Sequence, residues 1–514
     1  MKRNLKNRFF VLMGFFIIFT ISSCNNIFIL KKATQVSFTL NILGLQAAQQ
    51  KQSGALNNRA AGGDVSQVII SLYQVTDSAS ISENQQLDTS KLKLLESITP
   101  PVTSEGKVHA TFNEVTVGIT AAIFVEIYET DPADASQNLA YKGNSSIFTV
   151  QEGENTVEIE LQKIISTLAK LKTVLQSTNG EPIYIAGNFE INSTLEIDRP
   201  TTLIADAPTT FTRAKDFTGA LFTYNADFTL QGSSNAIITI NGNNIEAVAP
   251  AIQTAENNPT ANLTVTYCNF ENNTNTSSDG GAIFVETTAT VNFSASNCNF
   301  TNNKVTGSNM AGGAVAINAA NSTSTFDTCN FRTNTADQQG GGAVYISANS
   351  SAYSEQWHNF INCEFANNSS NASSQTGNYG GAIYFARGSF SLNNIAMNNN
   401  IWTQDNSNSD ICADTTAVNL KLDGTVQINS LLVKNVPKNL AIADSFQTSS
   451  KIQISIDASS PTSLFKVLSY DKIGINNTET KSLTQEQISC FTSIVDSSGK
   501  QYTLNSDGTI TAKN

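Results

Sequence analysis

Four of the seven cysteines stand at nearly regular intervals, each followed two residues later by phenylalanine and five residues later by asparagine. They are Cys268, Cys298, Cys329 and Cys363, with Phe270, Phe300, Phe331 and Phe365, and with Asn273, Asn303, Asn334 and Asn368. Thiols at matched positions could form disulfides, and amides at matched positions could form a hydrogen-bonded ladder. The chain has only two histidines, which leaves little support for His-based catalysis or a His-rich metal site. We expect no metal and no cofactor.

The charged residues of the same region do not form a catalytic pattern. The acidic ones are Glu271, Asp279, Glu286, Asp327, Asp337, Glu355 and Glu364, and the basic ones are Lys304, Arg332 and Arg387. None of the acidic residues recurs at one position of adjacent repeats, whereas glycoside hydrolysis needs paired carboxylates. We therefore predict no catalytic site. His358 lies in an insertion beside Trp357, where we expect a loop contact.

A second motif, Gly-Gly-Ala followed by Ile or Val, alternates with the Cys-Phe-Asn motif. Its copies begin at Gly280, Gly312, Gly341 and Gly380. In both motifs, residues two positions apart are apolar, which is typical of short strands that bury one face. Weaker copies extend the pattern, with Asn243 and Asn400 at the ends of the asparagine series. Repeats of about 31 residues predict the coils of a parallel β-helix. A propeller is the alternative, but its blades need four strands and a longer unit.

Stacked coils predict where the side chains of the repeat lie. Cysteine, phenylalanine and asparagine would form internal ladders, and the poor dihedral angle between parallel neighbours favours buried free thiols over disulfides. The outward positions of the Gly-Gly-Ala strand hold Phe284, Ala316, Tyr345 and Tyr384. Aligned aromatic residues could stack on sugars or anchor a partner, although a loop that covers them is an equally good interpretation. Trp357 is a further candidate for this surface.

The two alternating motifs resemble the repeats of the bacterial polymorphic outer-membrane protein family over about residues 219–400. The resemblance implies a right-handed parallel β-helix of the pectin-lyase-like type. It also implies a role at the cell surface, since many members of the family are implicated in adhesion and antigenic variation. Enzymes also use this fold, so fold alone does not decide function.

The pattern of the first residues is typical of a targeting signal. A basic start is followed by an apolar run of about twelve residues, which is too short for a typical membrane span. The run ends in Ile21-Ser22-Ser23-Cys24, which resembles the bacterial lipobox. The resemblance implies cleavage before Cys24 and attachment of diacylglycerol to its thiol. Asn25 follows in place of aspartate, which favours the outer membrane over retention at the inner membrane.

We expect an all-β chain in which an antiparallel β-sandwich precedes the solenoid. Alternating segments such as residues 68–73 and 123–128 support the sandwich. The predicted divisions are a lipoprotein signal peptide (1–23), a tether (24–34), a β-sandwich spacer domain (35–163), a parallel β-helix with an N-terminal cap helix (164–435), and irregular final coils with a C-terminal cap (436–514). The cap helix is expected to begin at Ile164.

The amino-acid composition argues against some classes of function. The formal net charge is −12, and only 14% of the residues are charged. An acidic chain is poorly suited to nucleic acid, whose binding depends on Lys and Arg. We expect a lipid-anchored bacterial surface protein, exposed on the outer membrane, that acts in adhesion or in contact with a host protein or glycan. The alternatives are a polysaccharide-binding protein or lyase, and a structural lipoprotein that faces the periplasm.

Overall fold

The structure is a computed structural model. It describes residues 35–43, 65–76, 92–100, 107–130, 137–178, 180–255, 260–287, 291–319, 322–347, 357–371, 380–403, 407–414, 419–434, 438–443, 446, 448, 452–457, 465–470, 482–496 and 498–513. Contacts divide the chain into two units, residues 1–163 and 164–514. The predicted signal peptide, the lipid site Cys24 and the tether lie outside the described residues.

The first unit contains two small sheets. One has antiparallel strands in the order Lys93–Ile98, Val65–Gln74, Thr120–Thr130 and Gln137–Asn144, with Phe148–Thr149 paired to Thr120–Thr130 and the start of Gln162–Ile165 paired to Gln137–Asn144. The other has the order Lys107–Asn113, Gln35–Leu43 and Glu154–Glu160. Gln35–Leu43 is antiparallel to the first of its neighbours and parallel to the second, so the unit is not purely antiparallel as we predicted.

The two small sheets share one apolar core. Val68, Ile70 and Leu72 alternate along one strand and are buried. The same cluster includes Phe112 and Ile159 from the other sheet. A half-buried sheet requires this period of two, because successive side chains point to opposite faces.

The second unit is a parallel β-solenoid of about 7 turns, which confirms the predicted all-β class and the predicted parallel β-helix. Its widest sheet, sheet A, carries two strands in each of five central coils and one strand in the coils on either side of them. The sheet begins at the end of Gln162–Ile165 and continues with Ile183–Ile191, Thr201–Arg213, Phe228–Gln231, Ile238–Asn241, Leu263–Thr266, Cys268–Glu271, Asn292–Ser296, Asn299–Thr301, Thr323–Asp327, Asn330–Arg332, Trp357–Ile361, Glu364–Ala366, Ser389–Asn398, Asn419–Gln427, Lys438–Ala443 and Phe465–Tyr470.

Two further sheets complete the coil. Sheet B, formed by the Gly-Gly-Ala strands, contains Leu195–Ile197, Phe222–Tyr224, Ile252–Thr254, Ile283–Thr287, Val315–Ala319, Val344–Ser347, Ile383–Arg387, Ile411–Ala413, Ser430–Lys434, Ile452–Asp457 and Phe491–Asp496, and then the antiparallel strands Gln501–Leu504 and Ile510–Ala512. Sheet C contains Glu246–Ala247, Thr274–Asn275, Lys304–Val305, Thr335–Ala336, Ser369–Ser370 and Ile401–Trp402, and then Ser407–Asn408, which is antiparallel.

The repeat motifs set the register between coils. Phe270 pairs with Phe300, which pairs with Phe331. Their rings are stacked inside the solenoid, with centroids 4.9 and 4.7 Å apart. Burial of each phenylalanine contributes about 1.5–3 kcal/mol. The repeated Cys-x-Phe pattern therefore places one continuous apolar stack behind sheet A.

The corner after each Cys-Phe strand has a left-handed backbone. The φ angle is 57° at Asn272, 55° at Asn302 and 53° at Thr333. Asparagine tolerates this region better than most residues. The glycine pairs serve a different need, because a Cβ on Gly313 would overlap the carbonyl oxygen of Gly342 in the next coil. Only glycine allows the backbones to approach this closely.

Short helices stand near both ends of the solenoid unit. The first is Leu168–Ser177, which the Thr167 side chain caps by accepting a hydrogen bond from the Lys170 N–H. Our prediction that it begins at Ile164 is wrong, because Ile164 and the next residue pair as a strand. The second helix is Gln485–Ser489, which begins with a capping box between Thr484 and Gln487.

Candidate functional site

The four asparagines of the repeat form a buried ladder along the solenoid axis. Asn273 Nδ2 donates to Asn303 Oδ1 at 2.9 Å, and Asn303 Nδ2 donates to Asn334 Oδ1 at 3.0 Å. Asn334 and Asn368 continue the series at 2.9 Å. Each rung also uses its second amide hydrogen, as when Asn334 Nδ2 donates to the carbonyl oxygen of Phe300 at 2.9 Å. Buried amides need these partners, since an unsatisfied one costs about 1–3 kcal/mol.

The ladder has two different ends. At the C-terminal end, Asn400 Nδ2 donates to Asp410 Oδ1 at 3.0 Å. At the N-terminal end, Asn273 Oδ1 is buried without a hydrogen-bond partner. The proposed extension to Asn243 is wrong, because that residue has a φ of 58°, is exposed, and donates to the carbonyl oxygen of Arg213. The preceding Gly242 lies against Asn273 and offers no side chain to continue the series.

The cysteine column runs beside the phenylalanine stack. Cys268, Cys298, Cys329 and Cys363 are buried free thiols in the structure. Cys298 Sγ lies 3.2 Å from the carbonyl oxygen of Ser296 and 3.5 Å from that of Val265, both of which can accept from the thiol. Burial is the largest cause that raises the pKa of Cys298 well above its usual value. The Cys298 thiol is therefore held protonated, a state in which it is a poor nucleophile.

The predicted aromatic surface lies on sheet B, but it is largely closed. Phe284 is 7% exposed and Tyr384 is 4% exposed. Tyr345 stacks on Tyr384 with ring centroids 5.4 Å apart, and the Tyr384 hydroxyl donates to Asp414 at 2.8 Å. Ala316 separates the phenylalanine from the tyrosines. The structure thus favours the covered arrangement that we considered beside an open sugar platform.

Charged groups surround the two tyrosines. Burial first, and then the charges of Asp279 and Asp414, raise the pKa of Tyr345, whereas Ser347 and Arg387 lower it. Burial and the neighbouring Glu286 also raise the pKa of Asp279 to about 6, while a hydrogen bond from the Ala311 N–H lowers it. The outer side of sheet B is therefore an acidic, aromatic region in which Asp279 binds its proton more tightly than an ordinary aspartate does. Sequence reasoning missed it because its carboxylates come from different positions of different coils.

Trp357 lies on the outer side of sheet A instead. Lys421 Nζ stands 3.7 Å from the centroid of its indole ring, a cation–π contact across two coils. The tryptophan is half-buried and is separate from the aromatic column of sheet B. The four candidate aromatic residues therefore do not form one surface.

We predicted that His358 makes a contact in a loop, and this prediction is wrong because the residue lies in the interior of the solenoid. It lies on the strand Trp357–Ile361, is fully buried, and its Nδ1 lies 2.9 Å from Ser324 Oγ. Its ring stacks on Phe390 with centroids 5.4 Å apart. Burial lowers the pKa of His358 to about 3, so the ring is neutral. The alternation with Phe360 in the next interior position was the signal that could have shown this.

The outer side of sheet A carries ladders of short polar side chains. Asn299 Nδ2 donates to Asn269 Oδ1 at 2.8 Å, and Asn330 Nδ2 donates to Asn299 Oδ1 at 2.9 Å. Farther along the same outer side, Arg332 forms an ion pair with Glu364 at 2.7 Å. Hydrogen-bonded rows of asparagine therefore run along the solenoid on both the inner and the outer side of its wall.

Two further properties concern cofactors and membranes. Among the described residues, no three His, Cys, Asp or Glu side chains are placed to hold a metal ion. None of the helices in the described part of the chain has the length and apolar character needed to cross a membrane.

No protein-family model, curated protein or solved structure matches this chain. Its function must therefore be argued from its own residues.

Proposed function

We propose that this chain is a lipid-anchored bacterial surface protein whose solenoid presents loops for adhesion or for contact with a host or partner molecule. The observation that carries this proposal is the tolerance of the coil to insertions. Val315 pairs with Val344, and Val344 pairs in the same register with Ile383, although the second step is longer by ten residues. Long loops can therefore leave the coil without disturbing its core, which is a common design for binding proteins.

The N-terminal segment supports the anchoring part of the proposal. The sequence Ile21-Ser22-Ser23-Cys24 has the order of residues that lipid attachment requires. Residues 35–163 would form a β-sandwich spacer between the lipid and the solenoid. The solenoid itself would be right-handed and pectin-lyase-like, with repeats of the polymorphic outer-membrane protein type, anchored in the outer membrane and exposed at the cell surface.

Lipid attachment and orientation can be tested on intact cells that produce the full chain. We expect Cys24→Ala to abolish metabolic labelling with a palmitate analogue, whereas the control Cys490→Ala keeps it. External protease should remove the protein from intact cells. Protection of a lipidated protein until the outer membrane is permeabilised would instead favour the structural periplasmic lipoprotein.

Adhesion requires a separate experiment. Cells that display the protein should bind host cells or an immobilised matrix. Replacement of residues 348–356 by a short Gly-Ser linker should reduce this binding because it removes a loop. The coil itself should be retained, because Val344 and Ile383 can still pair. A matched Gly-Ser replacement of residues 131–136 in the first unit serves as control. Binding that is equal with and without the displayed protein would refute the adhesion role.

A further inference from the structure

We propose that the outer face of sheet A, over the three coils between residues 263 and 333, binds a neutral polysaccharide chain that lies along the solenoid axis. This inference rests on the proposed function and gives a chemical class to the partner. The six central residues of this polar face are Thr264, Ser294, Thr325, Asn269, Asn299 and Asn330. They form two parallel rows, one of hydroxyls and one of amides.

The register of the coils fixes both rows. Thr264 pairs with Ser294, which pairs with Thr325. Asn269 pairs with Asn299, and Asn299 pairs with Asn330. All six side chains alternate with buried neighbours and are themselves half-buried at the surface. Equivalent side chains on paired strands stand about 4.8 Å apart. This repeat is close to the advance per sugar in an extended glycan chain.

The amide row is ordered before any ligand arrives. The hydrogen bonds between Asn269, Asn299 and Asn330 hold each amide in one orientation. A flexible polar side chain loses conformational entropy when a ligand immobilises it, and the hydrogen-bonded row has already lost that entropy before binding. An amide used once as donor and once as acceptor keeps the capacity for a second bond of each kind. The hydroxyl row offers donors and acceptors in the same spacing.

Charge decides which glycan fits. The six residues are uncharged, and the net charge of the chain is −12, which opposes an acidic polymer. The charged residues beside this face are mostly acidic. They are Asp327 and Glu271, which accept hydrogen bonds, and Glu364, which forms an ion pair with Arg332. A hydroxyl-rich neutral polymer matches such a surface, because it brings many hydrogen-bonding groups without a charge to desolvate.

The test measures depletion of the full-length protein, in detergent, from solution by insoluble cellulose, chitin, xylan and curdlan, with soluble polygalacturonate as an acidic comparison by affinity electrophoresis. We expect binding to at least one neutral polymer. Thr301→Lys places a long side chain on the polar face without breaking the amide row, and we expect at least a tenfold loss of affinity. Asn188→Lys makes the same kind of change on the same outer side of sheet A, three coils away, and should leave binding unchanged.

Several outcomes would overturn the inference. They are no binding to any neutral polymer, binding only to polygalacturonate, or equal binding by wild type and the Thr301→Lys variant. Tryptophan fluorescence and circular dichroism establish that each variant is folded. If the glycan experiment fails while displayed protein still mediates cell adhesion, the polar face is excluded and the proposed function stands. If both fail, the proposed function fails as well.

Discussion

Asn302 Nδ2 donates to Asn272 Oδ1 at 2.8 Å on the outside of the coil, toward the N-terminal end. One residue later, Asn273 Nδ2 donates to Asn303 Oδ1 at 2.9 Å inside the coil, toward the C-terminal end. The left-handed backbone at Asn272 and Asn302 separates the two rows, because it directs consecutive side chains to opposite sides of the wall. The corner therefore carries an inner amide ladder and an outer amide pair of opposite direction.

The first prediction concerns the inner ladder. Asn334→Ala removes the acceptor of Asn303 Nδ2 and the donors to Phe300 and Asn368. We expect a loss of about 3–5 kcal/mol in the free energy of unfolding, since several buried polar groups lose their partners. Both tryptophans of the chain lie in the solenoid, so urea denaturation followed by tryptophan fluorescence measures this unit.

The matched control is Asn330→Ala in the outer row of the same coil. Its amide is half-buried, and water can replace the bond to Asn299. We expect a loss of no more than about 1 kcal/mol. Equal losses in the two variants would show that the inner ladder has no special role in stability.

The second prediction concerns the close approach of coils at the glycine pairs. Gly313→Ala adds a Cβ that would overlap backbone atoms of Gly342 and Thr335. Backbone cannot move aside as a side chain can, so we expect a loss of at least about 3 kcal/mol or failure to fold. Gly180→Ala is the control, because nothing lies within 4 Å of its added Cβ and only its φ of 95° is unfavourable. A wild-type midpoint of urea unfolding for Gly313→Ala would contradict the packing described above.

The third prediction concerns His358 and acid. The pKa of His358 is about 3 in the folded chain, compared with about 6.5 when unfolded. Between these values only the unfolded chain binds the proton, so stability falls as the pH drops below 6.5, by up to about 1.4 kcal/mol per pH unit. His358→Gln can keep a hydrogen bond to Ser324 and does not titrate. The difference between wild type and variant should therefore change steadily from pH 7 to pH 4, and a constant difference would place the histidine in water.

The fourth prediction has the opposite sign. The pKa of Asp279 is raised to about 6 when folded, so the folded chain binds its proton more tightly than the unfolded chain does. The contribution of Asp279 to stability is therefore lost as the pH rises from about 4 to about 6. Asp279→Asn keeps the acceptor for the Ala311 N–H and removes the charge. We compare the free energy of unfolding of the variant with that of wild type at each pH. The variant should gain about 1 kcal/mol relative to wild type between pH 4 and pH 7, after allowance for partial exposure.

The core of the solenoid could be predicted from the sequence because the motifs that form it repeat. Phe270 and Phe300 occupy matched places in two motifs, and the period of two within a strand determines that both face inward. The ends were harder, since Ile164 fits a helical pattern and a strand pattern equally well over a short segment. His358 was misplaced because the insertion before it hides the repeat. The acidic region near Tyr345 depends on contacts between coils, which no local pattern contains.

The opposed directions of the inner amide ladder and the outer amide pair bear on how long such a wall can become. An amide row in which every group points the same way sums into a macrodipole, as a helix does. Here the inner row that begins at Asn273 is partly offset by the bond from Asn302 to Asn272, which points the other way. The electrostatic cost of adding coils by duplication is therefore smaller than it would be if both rows pointed in one direction.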